Sequence, residues 1–266
     1  ADGLQAFVAN SHGGLQIIDI SSPSSPTLLG TWYQSSPQTW VSDVALSSDE
    51  QYAFLSAGSR GMKVLDISNR ANPILVGEVG TAQDAASVTL SSDGQHAFVG
   101  MAVGGLAVID ISSPDSPQTV ATLSTPGTTY GTTLSQSGQY LFVADSDSGL
   151  QVVDVSNPSS PSIIGASDTP GNAWQVTLSP DGAYAYVADL AGGLQVIDVS
   201  NPAVPQNVAS LNISGISRQA AVSSDGKFLY LAQDRSNTES PDEISNPEYG
   251  VRVIDVSVPS SPYLVS

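Results

Sequence analysis

The sequence predicts an all-β fold, a β-propeller of about six four-stranded blades whose first blade lacks its innermost strand. Three observations carry that expectation. The phrase Gly-Leu-Gln-Val-Ile-Asp-Val-Ser recurs with small variations, placing aspartates at Asp19, Asp66, Asp110, Asp154, Asp198 and Asp255, at intervals of 47, 44, 44, 44 and 57 residues. A unit near 44 residues made of short strands cannot bury its own faces and must pack against copies of itself. Each unit also reads as four short apolar runs divided by Gly, Pro, Asn and Asp, the spacing of a propeller blade, and strong helix signals are absent.

The unit from residue 172 to 210 shows the elements in order. A first strand is predicted from Gln175 to Ser179, and Pro180-Asp181-Gly182 then supplies a hairpin turn. A second strand, rich in Tyr and Val, runs from Ala183 to Ala188, and Gly192-Gly193 opens a loop. A third strand runs from Leu194 to Val199. The Ser200-Asn201-Pro202 turn and Pro205 follow it, and a fourth strand is expected from Val208 to Leu211. Both faces of the middle strands are apolar, as expected for sheets covered on both sides.

The other units align on this one. The first strand ends on Leu46, Leu90, Leu134, Leu178 and Val222, and the second carries Phe54, Phe98, Phe142, Tyr186 and Tyr230, each series spaced by 44. The extra residues of the first interval fall between Leu28 and Ser42, and those of the last between Asp234 and Gly250. Six units are visible, and the first begins at its second strand, Gln5 to Ala9. The expectation is one propeller domain over 1–266, cut from a longer extracellular protein. Its missing inner strand is either absent or supplied by residues outside this segment. A seven-bladed ring and an open solenoid are the alternatives.

Composition narrows the functional classes. Charged residues are 12% of the chain, about half the usual share. Seven Lys and Arg face 25 Asp and Glu, for a formal charge of -18. That field repels nucleic acid and anionic membranes. It suits a solvated extracellular surface, a basic partner or cations. The absence of Cys excludes disulfides and thiolate chemistry. No apolar stretch reaches 18 residues, so no direct membrane insertion is expected. The chain starts at Ala1 with no Met and no signal peptide, which reads as a cut made in processing or cloning.

The repeats resemble the LVIVD-repeat family of secreted and surface β-propellers from bacteria and archaea. The matching stretches are Gly14 to Ser21, Gly61 to Ser68, Gly105 to Ser112, Gly149 to Ser156, Gly193 to Ser200 and Gly250 to Ser257, with a companion Tyr-Ala-Tyr-Val-Ala-Asp at Tyr184 to Asp189. The resemblance implies a module of extracellular proteins with neighbouring domains. It implies no shared reaction and supplies no catalytic set.

The repeated aspartates each end a strand before Ser, so backbone capping of the turn is expected of them rather than metal binding. Asp49, Asp93, Asp181 and Asp225 belong to hairpin turns. Binding residues are sought where blades vary, on the face shared by the loops entering first strands and those joining second to third. Four residues before the apolar anchor stand Ser42, Ala86, Tyr130, Trp174 and Arg218. Trp32, Tyr33, Trp40 and Asp84 lie near them in sequence, and His12, Arg60, Asp147 and Arg235 lie on the other loops. The candidate binding face is Trp40, Tyr130, Trp174, Arg218, Trp32, Tyr33, Arg60 and Arg235. Aromatic rings beside Arg suit a sugar ring or a protein hot spot. Plugging of the channel by Trp174 is the structural alternative.

The late insertion carries Glu239, Asp242, Glu243 and Glu248, with Asp234 at its root. Such oxygen ligands would take Ca2+, although the spacing is not that of an EF-hand. Asp145, Asp147 and Asp189 form a second carboxylate group, but Asn10 and Gln233 replace them in other units. No other cofactor is expected. No Gly-x-Ser-x-Gly, phosphate loop or dinucleotide fingerprint occurs, and Asp43 with Asp84 is the best carboxylate pair for hydrolysis. The reading is a non-catalytic recognition or adhesion module of a secreted or cell-surface protein. It would bind a surface protein or polysaccharide. A structural spacer and an extracellular polysaccharide hydrolase or lyase are the alternatives.

Overall fold

The computed structural model describes residues 3–33, 40–234 and 250–266. The chain is an all-β, six-bladed β-propeller of antiparallel sheets, five of them four-stranded and the first three-stranded. It divides into two compact units, residues 1–124 with 158–160, and residues 125–157 with 161–266.

The first unit holds blades 1 to 3. Blade 1 is β1 (Gln5–Ala9), β2 (Leu15–Asp19) and β3 (Thr27–Trp32). Blade 2 is β4 (Asp43–Leu46), β5 (Tyr52–Ser56), β6 (Met62–Asp66) and β7 (Ile74–Val79). Blade 3 is β8 (Ser87–Leu90), β9 (His96–Gly100), β10 (Leu106–Asp110) and β11 (Gln118–Leu123). Alternate residues of one strand point to opposite neighbours, which is why both faces are apolar. Ala53 and Leu55 of β5 pack with Leu15 and Ile17 of blade 1. Phe54, between them, packs with Ala97 and Val99 of blade 3. Each such large side chain, fully buried, stabilises by about 1.5–3 kcal/mol. Arg70 adds a polar tie between blades 1 and 2, donating to Gln5 Oε1 at 2.9 Å and the Glu50 carbonyl at 2.9 Å.

The second unit holds blades 4 to 6. Blade 4 is β12 (Gly131–Leu134), β13 (Tyr140–Ala144), β14 (Leu150–Asp154) and β15 (Ser162–Ser167). Blade 5 is β16 (Gln175–Leu178), β17 (Tyr184–Ala188), β18 (Leu194–Asp198) and β19 (Gln206–Leu211). Blade 6 is β20 (Ile216–Val222), β21 (Phe228–Asp234), β22 (Gly250–Asp255) and β23 (Tyr263–Leu264). Phe142 and Val152 pack with Ala185 and Ile197 of blade 5, and Tyr186 and Val196 with Leu229 and Ile254 of blade 6. The first strands end on the predicted apolar residues in all five complete blades.

The first three strands of blade 5 are each one residue shorter than expected, ending at Leu178, starting at Tyr184 and ending at Asp198, and two larger details differ from the sequence expectation. The outer strand of blade 5 starts at Gln206, not Val208. A bulge between Val196 and Ile197 shifts the register, so Asp198 still finds a partner in Gln206. The second difference is Tyr230, which the spacing groups with four buried aromatics. Phe54, Phe98, Phe142 and Tyr186 are all at most 2% exposed, whereas Tyr230 is 43% exposed. Its sheet face also carries the exposed Gln219, Ala221 and Val251.

Within each unit, the loop joining second and third strands is bridged to the loop entering the next blade. Ser146 and Ala173 exchange backbone bonds of 3.0 and 2.9 Å, and Leu190 and Ser217 exchange two of 3.1 Å. Ser11 with Val41 and Gly58 with Ala85 do the same in the first unit. The bridging residues Ser11, Ser146 and Leu190 hold positive φ of 43°, 51° and 42°. That left-handed conformation is unfavourable for residues with a Cβ, and the paired bonds maintain it. These bridges put both loop types on one face, as the sequence predicts.

Candidate functional site

The loops entering β12 and β16 share the sequence Thr-Pro-Gly at 125–127 and 169–171. Twenty residues later, Asp145 and Asp189 follow β13 and β17. Both carboxylates are completely buried. Asp145 accepts from Thr125 Oγ1 at 2.7 Å, Gly127 N at 2.8 Å and Thr129 Oγ1 at 3.1 Å. Asp189 accepts from Thr169 Oγ1 at 2.7 Å and Gly171 N at 2.8 Å. Burial pushes the Asp189 carboxyl above the usual carboxylate range, against the pull of the Thr169 and Gly171 bonds. Each aspartate thus clamps the loop entering its own blade. A side chain at Gly127 or Gly171 would run into the Asp145 or Asp189 carbonyl oxygen, 2.1 and 2.2 Å from the added carbon, so the loops require glycine there.

These clamped loops present Tyr130 and Trp174. The two rings stack with centroids 4.0 Å apart and planes inclined by 23°. The Arg218 guanidinium lies over the Trp174 ring, 4.9 Å from its centroid. Arg218 Nε also donates to Asp234 Oδ2 at 3.0 Å. The result is a ladder of Tyr130, Trp174, Arg218 and Asp234 across blades 4, 5 and 6. The stack and the cation–π contact are each worth about 0.5–1.5 kcal/mol. The ion pair is half-exposed and adds little. Trp174 is therefore engaged by both Tyr130 and Arg218.

The remaining candidates are dispersed. In the first unit, Trp40 is exposed and its indole lies against Gly58, where an added Cβ would sit 3.3 Å from the ring. Tyr33 is exposed as well, and so is Arg60, on the β5–β6 loop. Trp32 is not a loop residue. It ends β3 opposite Leu15 and packs on the core of blades 1 and 2, where its large apolar ring is partly buried. Arg235, Glu239, Asp242, Glu243 and Glu248 lie outside the described residues, and Asp234 is engaged by Arg218. Among the described residues, no three His, Cys, Asp or Glu side chains are grouped to hold a metal ion.

The repeated aspartates cap their turns. Ser21, Ser68, Ser112, Ser156, Ser200 and Ser257 each donate N–H to the aspartate two residues before, at 2.8–2.9 Å. Hydrogen bonds from these serines hold all six carboxyls below the usual range. In the hairpins, Asp49, Asp93, Asp181 and Asp225 accept from the serine two residues before and the amide two residues after. Asp43 joins blade 2 to blade 3 by accepting from Val88 N at 3.0 Å, and also accepts from Val44 N at 2.8 Å. Burial raises its pKa, with those two bonds opposing. Asp84 is exposed.

Fold and repeat together define a propeller assembled from one recurrent blade sequence. The LVIVD repeat model matches residues 3–33, 40–81, 82–125, 131–169, 170–212 and 244–266, and the chain belongs to that family. No curated protein matches the sequence. Among solved structures, the chain is similar to a protein of unknown function from Desulfotomaculum acetoxidans, at 15% identity and a TM-score of 0.78, covering 98% of this chain and 78% of that one. It is similar to the periplasmic gluconolactonase of Pseudomonas aeruginosa at 18% identity and a TM-score of 0.77, covering 99% and 81%. A putative 6-phosphogluconolactonase from Bacteroides fragilis gives 13% identity and a TM-score of 0.78, covering 100% and 82%. At these identities the likeness is one of fold. No helix among the described residues is long and apolar enough to cross a membrane.

Proposed function

We propose that the chain is a non-catalytic recognition module of a secreted or cell-surface protein, binding a surface protein or polysaccharide through its loop face. The observation that carries this reading is the ladder of Tyr130, Trp174 and Arg218, two of whose rungs stand on loops clamped by buried aspartates. Aromatic and Arg side chains held in advance lose little freedom on binding, which is what makes them effective anchors. The ladder also departs from the repeat, since the same position carries Ser42 and Ala86 in blades 2 and 3. A frame that repeats while its loop tips diverge suits binding better than spacing. The hydrolase alternative has less behind it, because Asp43 is committed to two backbone amides and Asp84 is a lone exposed carboxylate.

The test is binding to surface polysaccharides and surface proteins fractionated from the source organism, comparing the intact chain with the Trp174→Ala/Arg218→Ala variant. Binding to one fraction by the intact chain, at least tenfold weaker in a variant with an unchanged melting temperature, is the expected result. Equal binding by both would remove the ladder from the function.

A further inference from the structure

Lys63 is a buried cation at a position where blades 1, 3, 4 and 5 carry Gln16, Ala107, Gln151 and Gln195, and blade 6 carries Arg252. Four of the six blades do without a charge there, and Arg252 donates to Gln233 Oε1 at 3.0 Å. In blade 5, Gln195 satisfies itself locally, donating to the Gly192 carbonyl at 2.7 Å and accepting from Asn207 at 3.0 Å and from the Ser210 hydroxyl. In blade 4, Gln151 donates to the Ser148 carbonyl at 2.7 Å. Lys63 instead faces Glu78 across the β6–β7 ladder and donates to its Oε2. The two partners differ sharply in exposure, 2% for the Lys63 side chain and 61% for that of Glu78.

An ammonium group carries three N–H donors. Among the described residues Glu78 supplies one acceptor, so two donors remain for what enters the space beside Lys63. Lys63 lines an open depression of about 410 Å³ together with Ser59, Arg60, Glu78 and Gly80. That size falls within the range of small-molecule sites. Two of the chain's seven basic residues meet here, in a protein of formal charge -18. The lining combines polar groups with the aliphatic stems of Arg60, Lys63 and Glu78, and has no aromatic ring.

We propose that this depression binds a sugar acid, a single carboxylate on a hydroxylated body of monosaccharide size. Lys63 and Arg60 take the carboxylate, and Glu78 is the stand-in that it displaces. Glu78 is mostly solvated already, so it swings out at little loss of hydration, whereas Lys63 stays buried and must keep a counter-charge. The released Glu78 carboxylate and the Ser59 hydroxyl are then placed to accept and donate bonds to the sugar hydroxyls. The protein's overall charge selects against a densely charged polyanion, and a lining without an aromatic or wholly aliphatic side chain selects against a fatty or aromatic acid. The site is in the first unit and is independent of the ladder in the second.

The test is titration calorimetry of the whole chain with D-glucuronate, D-glucose and sulfate, on the wild type and on Lys63→Gln and Glu78→Gln. Gln at residue 63 is the side chain three other blades carry, so the variant is expected to fold, and its melting curve checks this. Expected results are glucuronate binding by the wild type, at least tenfold weaker binding of glucose and of sulfate, and at least tenfold loss in Lys63→Gln. The diagnostic result is a several-fold gain in Glu78→Gln, where the competing carboxylate is gone but the acceptor oxygen remains. No glucuronate binding by either the wild type or Glu78→Gln at millimolar concentration would overturn the proposal. So would undiminished binding by Lys63→Gln. Sulfate binding as tight as glucuronate would reduce the site to a counter-ion position and overturn the sugar-acid assignment.

Discussion

Blades 4 and 5 hold their entry loops with a buried carboxylate, whereas blade 6 carries at that position an amide that bonds to Arg252 and, among the described residues, not to the entry loop. Asp145, Asp189 and Gln233 occupy one position, 44 residues apart. An ionised carboxylate only accepts, which matches a loop offering a Thr hydroxyl and a Gly amide. Gln233 has one acceptor oxygen, taken by Arg252 Nε at 3.0 Å, and it adds donors of its own. Gln233 Nε2 and the Ser217 hydroxyl are buried without a partner among the described residues. Ser217 stands where Thr129 donates to Asp145 in blade 4. The same backbone frame thus carries two grades of loop, and a single side chain decides which. Tyr130 and Trp174 are held from beneath, while Arg218 is positioned through its own contacts with Trp174 and Asp234.

The largest expected effect comes from removing the best-connected clamp. Asp145→Ala strips the acceptor from three donors and Asp189→Ala from two. A buried donor left unpaired costs about 1–3 kcal/mol, so the losses are expected near 3 kcal/mol or more and near 2 kcal/mol respectively. Gln233→Ala removes an amide that is already half-unsatisfied and is expected to cost about 1 kcal/mol. Urea unfolding of the three variants gives the ranking directly. A Gln233→Ala loss equal to that of Asp145→Ala would break the contrast between the two kinds of loop.

Acid titration sharpens the same contrast through aspartates of opposite sign. Asp189 has a folded pKa raised by burial, so the folded state binds its proton before the unfolded chain does. Stability therefore rises as pH falls through that raised value toward the ordinary 3.8. The six turn-capping aspartates have lowered folded pKa values, so their stabilisation is present above 3.8 and is lost as pH falls below it through the folded values. The melting temperature is expected to climb on mild acidification, peak on the acid side above 3.8, then fall. Asp43, also raised by burial, contributes to the same climb, so Asp189→Asn should reduce the climb, with Asp43 supplying the remainder, and leave the fall in place. A monotonic decline from neutral pH would contradict the assignment of Asp189 as the strained carboxylate.

The parts of this arrangement that were legible in the sequence are the local ones. Asp19 and Ser21 are two residues apart, so strand end and turn predict their bond without any tertiary information, and the same holds for Ser179 and Asp181. The position series from Ser42 to Arg218 located the ladder, because a 44-residue period fixes which residues share a height on the fold. The clamps escaped the reading. Asp145 and Asp189 looked like a carboxylate group with a metal-binding flavour, since their partners lie twenty residues back across a blade. The signal was present in the two Thr-Pro-Gly runs at the same spacing. Lys63 was hidden for another reason, as a cation inside a strand phrase reads as solvent-facing until the register puts it opposite Glu78. Stacking, too, depends on side-chain direction, which periodicity does not supply.

The smallest effect is the most specific. Gln233→Asp places in blade 6 the carboxylate that blades 4 and 5 already use. Asp keeps an acceptor for Arg252 and removes the unpartnered amide nitrogen. It also offers an oxygen to the Ser217 hydroxyl, as Asp145 does to Thr129. Against this stand a shorter side chain and one more buried negative charge in an acidic protein, which Arg252 partly offsets. The expected net gain is about 1 kcal/mol, the worth of one satisfied buried hydrogen bond, seen as a rise in melting temperature. Pairing the change with Ser217→Ala should erase the gain, because the hydroxyl that the new carboxylate receives is then missing. A gain that survived Ser217→Ala would locate the benefit in the Arg252 contact instead, and the clamp would not be transferable between blades.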